Sequence, residues 1–267
     1  MYKVKMSDYT SMRTGGWTNA RIITSVDNLK YNGALIIGRG TNVLFSDVDY
    51  DGEVWIMRND RFTVNGNLVR AESGVSISRL ARTTASMGLS GLQWACGIPG
   101  SVGGAVVMNA GAYGGECLDN LLNIRMLTEK GELLLTRDEL TPSHRKTLGL
   151  PNGVILDATF RLISDSKATE KINNFDSLRR KAQPSGRTLG STFKKVGNKS
   201  AGQIIEDVGL KGLSVGKSFV SDKHANFIIN EGDSSADVRS LIDIIKLRVY
   251  ARTGIKLEEE IIYAGEF

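Results

Sequence analysis

The sequence predicts an α+β fold with two domains, 1–165 and 166–267. Short apolar runs separated by glycine-rich turns dominate the chain up to about residue 165, and runs with helical spacing dominate after it. Strands grouped in one part of a chain and helices in another are typical of α+β proteins, whereas α/β folds alternate them. Glycine is unusually frequent, with 30 residues against 4 prolines, and it follows no fixed repeat. The glycines cluster in a few loops, which therefore need a local explanation.

The first domain is predicted to consist mainly of strands. Apolar runs bounded by turn residues predict strands at 34–37, 43–45, 53–57 and 154–163, and a hairpin of 122–128 with 132–136 that turns at 129–131. One helix is predicted over 75–87, because Ile77, Leu80 and Ala81 share a face and Gly88 can end it. We expect Trp55 and Trp94 to be core aromatics.

The second domain is predicted to contain the longer helices. Helices are expected at 171–182, 201–208 and 236–253. The last is the clearest, because its apolar residues follow the i, i+3, i+4, i+7 pattern of a helix that buries one face, and Gly254 can close it. Those apolar residues are Val238, Leu241, Ile242, Ile245 and Val249.

Composition and charge exclude several classes of partner. The chain carries 34 basic and 29 acidic residues, a net charge of +5, which suits anionic small molecules. The basic residues are scattered and form no stripe with aromatics, so no nucleic-acid partner is expected. Cys96 and Cys117 are isolated, which indicates a reducing compartment. With no leader pattern and no apolar run of about 18 residues, we expect a cytoplasmic protein without a membrane partner.

The loop at 38–42 is the first candidate binding motif. Its sequence, Gly38-Arg39-Gly40-Thr41-Asn42, resembles the start of a dinucleotide fingerprint, but that motif needs a third glycine and a following helix. Val43 takes the place of the third glycine, and a strand is predicted to follow, which excludes a Rossmann dehydrogenase. A glycine turn between strands can still point backbone N–H groups at a diphosphate. Taken alone, the loop equally fits a tight turn.

Two further glycine runs lie back to back. Counting the loop at 38–42 as the first, the second glycine run is Gly97-Ile98-Pro99-Gly100-Ser101-Val102-Gly103-Gly104-Ala105. The third is Asn109-Ala110-Gly111-Ala112-Tyr113-Gly114-Gly115-Glu116. Glycine and proline at this density are poor material for an ordinary helix or strand. They allow a backbone to approach a flat or phosphorylated ligand closely. A purely structural loop would rarely need two such runs.

These three loops resemble the FAD-binding loops of the UDP-N-acetylenolpyruvoylglucosamine reductase (MurB) family. The resemblance extends in the same order over nearly the whole chain, which makes it highly specific. Its other blocks are Thr10-Ser11-Met12-Arg13-Thr14-Gly15-Gly16, Gly190-Ser191-Thr192-Phe193-Lys194, Ala201-Gly202-Gln203-Ile204-Ile205-Glu206, Val220-Ser221-Asp222-Lys223-His224-Ala225-Asn226-Phe227 and Gly254-Ile255-Lys256-Leu257-Glu258-Glu259-Glu260. The chain has no obvious room for the tyrosine-bearing, substrate-covering loop of longer members, so it resembles the shorter type.

The resemblance implies a fold, a cofactor and a reaction. The fold is an FAD-binding domain of the PCMH/vanillyl-alcohol-oxidase type in two lobes, followed by an α+β substrate-binding domain. The implied reaction is the reduction of UDP-N-acetylglucosamine enolpyruvate to UDP-N-acetylmuramate for peptidoglycan synthesis, with FAD as cofactor and NADPH as co-substrate. The residues implied to bind the cofactor are Gly38, Arg39, Gly40, Thr41, Asn42, Val43, Gly97, Ile98, Pro99, Gly100, Ser101, Gly103, Gly104, Asn109, Gly111, Ala112, Tyr113 and Gly114.

Three catalytic residues follow from the resemblance alone. Arg145 matches the arginine that binds the substrate carboxylate, Ser191 the proton-donating serine and Glu260 the C-terminal glutamate. Without the resemblance, we would interpret Arg145 as a surface residue and Ser191 as a turn residue. The acids at 258–260 would be a solvated charge run, and only Glu260 fits the family register.

Substrate contacts and departures from the family pattern complete the predictions. Lys195 and Asn226 are expected to bind the substrate. Lys195 stands where the family often has Asn, and His144 and Thr147 replace the usual Tyr and Ser beside the arginine. His224 has no second ligand at zinc spacing, so no metal site is expected, and the resemblance suggests a packing role for it.

Two alternative functions keep the same glycine loops. Another oxidoreductase of this flavin fold, acting on an alcohol or lactone, would have no reason to combine Arg145, Ser191 and Glu260. A non-catalytic flavin- or nucleotide-sugar-binding relative is favoured only by the departures at His144 and Thr147. A turnover measurement distinguishes these alternatives.

Overall fold

The computed structural model describes all 267 residues and divides them into two compact units. Unit 1 combines Met1–Asn19, Gly40–Gly52 and Arg180–Phe267, and unit 2 combines Ala20–Arg39 and Glu53–Arg179. The mixture of helices and strands confirms the predicted α+β class. The functional division into 1–165 and 166–267 stays a prediction, and the compact units follow different boundaries.

Twenty strands and five α-helices form the fold. The strands of the first half are β1 (Tyr2–Lys5), β2 (Trp17–Ile23), β3 (Leu35–Ile37), β4 (Val43–Phe45), β5 (Tyr50–Met57), β6 (Phe62–Asn65), β7 (Leu68–Glu72), β8 (Leu89–Ser90), β9 (Gly111–Ala112) and β10 (Gly115–Glu116). Those of the second half are β11 (Leu121–Thr128), β12 (Gly131–Thr136), β13 (Thr141–Ser143), β14 (Lys146–Leu148), β15 (Val154–Arg161), β16 (Ile163–Ser164), β17 (Ser214–Val215), β18 (Ser218–Val220), β19 (Ile228–Asn230) and β20 (Ile262–Ala264). The helices are α1 (Ile77–Ser86), α2 (Val102–Val107), α3 (Ala168–Ala182), α4 (Ala201–Asp207) and α5 (Ser235–Thr253).

Unit 2 is built on a five-stranded sheet of order β12-β11-β15-β7-β6, with antiparallel neighbours throughout. Its inward residues, with α1, α2 and the start of α3, form an apolar core around fully buried side chains such as Leu80, Val106 and Phe160. A second core of this unit surrounds Trp55. Trp55 and Trp94 are both buried, which confirms their prediction as core aromatics.

Unit 1 carries helices α4 and α5, the three-stranded sheet β17-β18-β19 and the parallel pair β4-β20. Its core gathers residues that are far apart in the chain, with Met12 and Leu44 packed among Ile205, Leu241 and Ile245. The four-stranded sheet β1-β2-β5-β3 contains two of the points at which the chain passes between the units, one within β2 and one within β5.

Local signals explain the elements that were predicted well. In α1 the side chain of Ser76 accepts the N–H of Arg79, and in α5 Ser234 accepts that of Asp237, as expected of helix N-caps. Gly254 closes α5 with φ of 71°, a conformation that favours glycine. β4, the β11-β12 hairpin and all the predicted helices lie within a few residues of their expected positions.

The structure differs from the sequence prediction in the second glycine run. No regular element was expected there, but residues 102–107 form α2. Ser101 makes this helix possible, because its side chain accepts the N–H of Gly104 at 3.4 Å and so caps the first turn. Many short strands, β6, β7 and β17 to β19 among them, were not predicted, because they are too short to show a clear period.

Candidate active site

The backbone of the first glycine loop is arranged to receive an anion. The loop joins β3 to β4, and the N–H groups of Arg39, Gly40 and Thr41 donate to no acceptor within the protein. The carbonyl of Gly38, by contrast, accepts a hydrogen bond from Arg58 Nη1 at 2.6 Å. N–H groups that have no acceptor in the protein, next to a carbonyl that is already hydrogen-bonded, are suited to binding a diphosphate. Because β4 is a strand, the loop does not open a helix, in agreement with the exclusion of a Rossmann motif.

The second glycine run packs against the first within unit 2. A Cβ added at Gly38 would overlap Ser101 Oγ, and one at Gly103 would lie 2.9 Å from Ser73 Cβ. The N–H of Gly103 also donates to the carbonyl of Ser73 at 2.8 Å. These two glycines are therefore required by protein packing, whereas the predicted reason was access for a ligand. Gly104, next in the chain, is exposed, and a Cβ added there would meet only Ser101 Oγ, at 3.4 Å.

The third glycine run is a small hairpin of β9 and β10. Its turn residues, Tyr113 and Gly114, have φ of 53° and 83°, so the tyrosine occupies a left-handed conformation that is unusual for it. The Tyr113 ring stacks on Phe175 of α3, with 4.7 Å between ring centroids. Partial burial raises the pKa of the Tyr113 phenol, which keeps it neutral.

Arg145 sits at the tip of the β13-β14 hairpin and contacts the third glycine run. Its Nη1 donates to the carbonyl of Gly111 at 2.9 Å, and its φ of 58° is a strained value for a non-glycine residue. Beside it, His144 is exposed, and Thr147 is buried with its hydroxyl donating to the carbonyl of Val106. The threonine at this departure from the family pattern thus attaches the hairpin to α2.

Ser191 lies in unit 1, in a segment held by backbone bonds on two sides. Ser191 forms an isolated antiparallel bridge with Phe227, and the N–H of Thr192 donates to the carbonyl of Asn226 at 2.8 Å. From the other side, the N–H of Glu260 donates to the carbonyl of Thr192 at 2.8 Å. The structure therefore brings the segments that carry Ser191 and Glu260 together.

The three successive acids have three different environments. Glu258 is exposed and lies 3.4 Å from Lys194 Nζ, and Glu259 pairs with Lys246 at 2.8 Å. Because side chains alternate along an extended segment, Glu260 projects away from the side on which Glu259 lies. The first glycine loop holds the Glu260 backbone, since Asn42 Nδ2 donates to its carbonyl at 3.1 Å and the N–H of Ile262 donates to the Asn42 carbonyl.

The remaining predicted residues of unit 1 differ in how they are used. Lys195 is exposed and makes no ion pair. Asn226 is buried, and its amide clamps Phe193, accepting the N–H and donating to the carbonyl, both at 2.9 Å. His224 Nδ1 accepts the N–H of Asn226 at 3.2 Å, and burial lowers its pKa. These contacts hold the segment that carries Ser191, and the binding of substrate by Asn226 stays a prediction.

The predicted cofactor residues are spread between surface and interior. The exposed ones are Arg39, Pro99, Gly104, Tyr113 and Gly114; the buried ones are Gly40, Ser101, Gly103 and Asn109; and Gly38, Thr41, Asn42, Val43, Gly97, Ile98, Gly100, Gly111 and Ala112 are intermediate.

Sequence reasoning missed several residues that shape the loops. Arg58 holds the Gly38 carbonyl, and no spacing rule marks it. Phe175 stacks on Tyr113, and a Cβ at Gly97 would overlap Arg179, so one face of α3 covers the second and third glycine runs. The helix predicted at 171–182 begins at Ala168 in the structure, and the spacing of Ala168, Ile172 and Phe175 is the helical signal that could have revealed this face.

FAD fits these residues. The unpaired N–H groups of the first loop match its diphosphate, and the exposed Gly104 offers a surface without a side chain at the start of α2. No group of three or more His, Cys, Asp and Glu side chains is placed to hold a metal ion. No helix has the length and apolar character that crossing a membrane requires.

Comparison with known proteins matches two family models to separate parts of the chain. Residues 27–137 match the model described as FAD binding domain. Residues 182–264 match the model described as UDP-N-acetylenolpyruvoylglucosamine reductase, C-terminal domain. The first match contains all three glycine runs, and the second contains Ser191 and Glu260.

Whole-chain similarities agree with both models. The UDP-N-acetylenolpyruvoylglucosamine reductase of Caldicellulosiruptor bescii is 43% identical over 242 residues, covering 87% of this chain and 77% of the relative. That of Caldicellulosiruptor saccharolyticus is 40% identical over 98% of this chain and 91% of the relative. The crystal structure of the Thermus caldophilus reductase (MurB) superposes with a TM-score of 0.87 at 29% identity, covering 99% of this chain and 98% of that one. The two family models, the order of the motifs and the fold all agree with these relatives. The chain therefore belongs to the UDP-N-acetylenolpyruvoylglucosamine reductase family.

Proposed function

We propose that the protein reduces UDP-N-acetylenolpyruvoylglucosamine to UDP-N-acetylmuramate, with bound FAD and with NADPH as reductant, in peptidoglycan precursor synthesis. Family membership supports the substrate and the reaction, and the match to an FAD binding domain supports the cofactor. At the site itself, one observation carries the proposal. The hydrogen bond from the Glu260 N–H to the Thr192 carbonyl places two of the proposed catalytic residues on adjacent segments.

The cofactor loops have a simple task in this proposal. The N–H groups of Arg39, Gly40 and Thr41 bind the diphosphate, and Gly104 allows close approach of the ligand to the backbone. Bound there, FAD would supply the redox chemistry that carries hydride from NADPH to the enolpyruvyl double bond.

The proton is assigned to Ser191. A serine hydroxyl is a weak acid, so it can protonate carbon only when it is held in a fixed direction toward the carbon beside the substrate carboxylate. The backbone bonds that fix residues 191–193 against Asn226 on one side and Glu260 on the other provide that rigidity. Glu260 is assigned to stabilising the charge that develops on the substrate during the transfer.

Arg145 is assigned to the substrate carboxylate. A guanidinium binds a carboxylate through two parallel N–H groups, which an ammonium cannot do. The strained turn and the bond from Nη1 to Gly111 fix the direction of the side chain, and Thr147 attaches the hairpin to α2. A fixed cation stabilises developing negative charge without having to reorganise.

A stopped-flow experiment on anaerobic, flavin-loaded protein tests the proposal. The flavin is reduced with NADPH, UDP-N-acetylenolpyruvoylglucosamine is added, and the return of the oxidised flavin absorbance is followed. Rapid return is the expected result. A bound flavin that stays reduced would point to another electron acceptor or to a relative without catalysis, and protein without any flavin would contradict the assignment of the glycine loops.

We also place the reaction in the cytoplasm, because its two substrates are a nucleotide sugar and a nicotinamide nucleotide. Cell fractionation followed by activity measurement would test this placement. Activity found only outside the cytoplasmic fraction would contradict it.

A further inference from the structure

A small group of charged and aromatic side chains lies between α5 and the segment that carries Glu260. Lys246 Nζ is 2.8 Å from Glu259 Oε1, and the Tyr263 hydroxyl is 3.5 Å from the same oxygen. The guanidinium of Arg239 lies 4.5 Å from the centre of the Tyr263 ring and donates to Asp243. Arg239, Asp243 and Lys246 occupy one face of α5, because they are three and four residues apart.

Glu259 projects into the interior, which is unusual for a carboxylate. Its side chain is only 17% exposed, and it lies between Leu257 and Ile261, which both belong to the core of unit 1. Residues 257, 259 and 261 therefore share the inward side of an extended segment, as alternation requires. A carboxylate in this place costs free energy unless a cation stays beside it, and Lys246 is that cation.

Backbone contacts hold the same segment on two sides, and Asn42 of the first glycine loop binds it on one of them. Residues 258–260 are outside regular strands and meet residues 192–194 through one isolated bridge, between Phe193 and Glu259. Two backbone hydrogen bonds flank it, from Lys194 to Glu258 and from Glu260 to Thr192. Without Lys246, the segment would lower the cost of the buried charge by turning Glu259 toward solvent. That rotation would also turn Glu260, because neighbouring side chains are fixed on opposite sides.

We propose that Lys246, with Tyr263 and Arg239 beside it, is a positioning residue for Glu260, acting through the ion pair with Glu259. This inference rests on the proposed function, because it assigns Lys246 to the half-reaction in which Glu260 takes part. Lys246 itself touches neither substrate nor cofactor in this assignment.

The Tyr263 hydroxyl supports the ion pair between Lys246 and Glu259. Burial, and then the charge of Glu259, raise the pKa of the Tyr263 phenol to about 12. The phenol therefore stays protonated at neutral pH and can donate a hydrogen bond to Glu259.

The test compares single variants of flavin-loaded, full-length protein in the two half-reactions. For Lys246→Met we expect flavin reduction by NADPH within about twofold of wild type, and flavin reoxidation by UDP-N-acetylenolpyruvoylglucosamine slowed about tenfold. Lys246→Arg should recover most of the rate, because it restores the ion pair. Arg248→Met is the matched control, since Arg248 is an exposed cation of the same helix that makes no ion pair.

Hydrogen–deuterium exchange provides a readout that does not depend on turnover. The amides of Lys194 and Glu260 should exchange faster in Lys246→Met than in wild type and Arg248→Met, because their hydrogen bonds hold the segment in place. Unchanged exchange, or unchanged reoxidation in the presence of faster exchange, would overturn the inference. Failure of the wild-type protein itself to reoxidise with this substrate would instead overturn the proposed function, and the inference with it.

Discussion

At the scale of single residues, a side chain's neighbours decide what its chemistry can do. The three acids at 258–260 are identical in type but differ in their surroundings, because Glu258 faces solvent beside Lys194, Glu259 pairs with Lys246, and Glu260 projects to the side opposite Glu259. Sequence reasoning reached Glu260 through family register alone. The alternation of side chains along an extended segment gives a physical reason why Glu260 faces away from the core when Leu257 and Ile261 face into it. This argument could have been made from the sequence once those two residues were recognised as core residues.

Ser191→Ala should separate the two half-reactions. Reduction of the flavin by NADPH should remain within about twofold of wild type, because the hydroxyl has no part in it. Reoxidation by the enolpyruvyl substrate should fall by at least about 100-fold, the usual contribution of a positioned proton donor. Stopped-flow absorbance of the flavin measures both steps. Wild-type reoxidation by the variant would remove Ser191 from its assigned role.

Lys195→Ala addresses a predicted substrate contact. Lys195 is exposed and makes no ion pair, so its ammonium is available to a diphosphate. If it binds there, the substitution should raise the KM for the nucleotide sugar about threefold to tenfold and leave kcat nearly unchanged, because such a contact is equal in ground and transition states. Steady-state kinetics at low ionic strength measures this. Lys199→Ala, another exposed lysine, is the control, and equal KM values for all three proteins would contradict the contact.

At the scale of elements, the glycine runs show what sequence can and cannot explain. Their density led to the prediction that these loops bind the cofactor, and all three runs lie within the part of the chain that matches the FAD binding domain model. Nothing in the sequence indicated that Gly38 and Gly103 are needed by neighbouring protein atoms, because their partners, Ser101 and Ser73, are identified only in the folded chain. The short helix α2 was missed for a related reason, since tertiary contacts outweighed the poor helix propensity of glycine.

Two adjacent glycines of α2 should therefore respond differently to substitution. Gly103→Ala should lower the free energy of unfolding by about 1–3 kcal/mol, because its new methyl group would press on Ser73 in a tightly packed place. Gly104→Ala should be neutral or stabilising by up to about 1 kcal/mol, because the position is exposed and helical. Denaturant unfolding of both variants makes the comparison. Equal stability would show that packing does not require Gly103.

The same pair also tests the cofactor assignment. If the flavin approaches the backbone at Gly104, then Gly104→Ala should reduce the flavin content of the purified protein without a loss of stability. Full flavin content would remove Gly104 from the cofactor-binding residues.

At the scale of the whole molecule, the two compact units interleave in the sequence. Unit 1 takes its residues from three separate segments, including β4, whose parallel partner is β20 near the other end of the chain. A change in local composition near residue 165 could not reveal this arrangement, because composition is read from neighbours in sequence and compactness from neighbours in space. The long helix α5, by contrast, depends on its own apolar spacing and caps, and it could be predicted almost to the residue.

The interleaving predicts that the last part of the chain does not fold alone. A fragment of residues 180–267 lacks Met12 and Leu44, both fully or almost fully buried in the core of unit 1, and it leaves β20 without β4. We expect this fragment to show no cooperative thermal transition by circular dichroism, in contrast to the full-length chain. A sharp transition close to that of the full-length chain would show that the first two segments of unit 1 are dispensable for its fold.

The pairing of β4 with β20 also has a consequence for biosynthesis. Asn42, at the start of this pairing, binds a residue 218 positions later in the chain. At synthesis rates of about 5–20 residues per second, the ribosome needs tens of seconds to deliver the partner strand after β4 has emerged. During that interval Leu44 and Phe45 are apolar side chains on an unpaired strand, which makes the nascent chain prone to aggregation and a natural client for chaperones. The first glycine loop, next to β4, can reach its final form only once β20 has been translated.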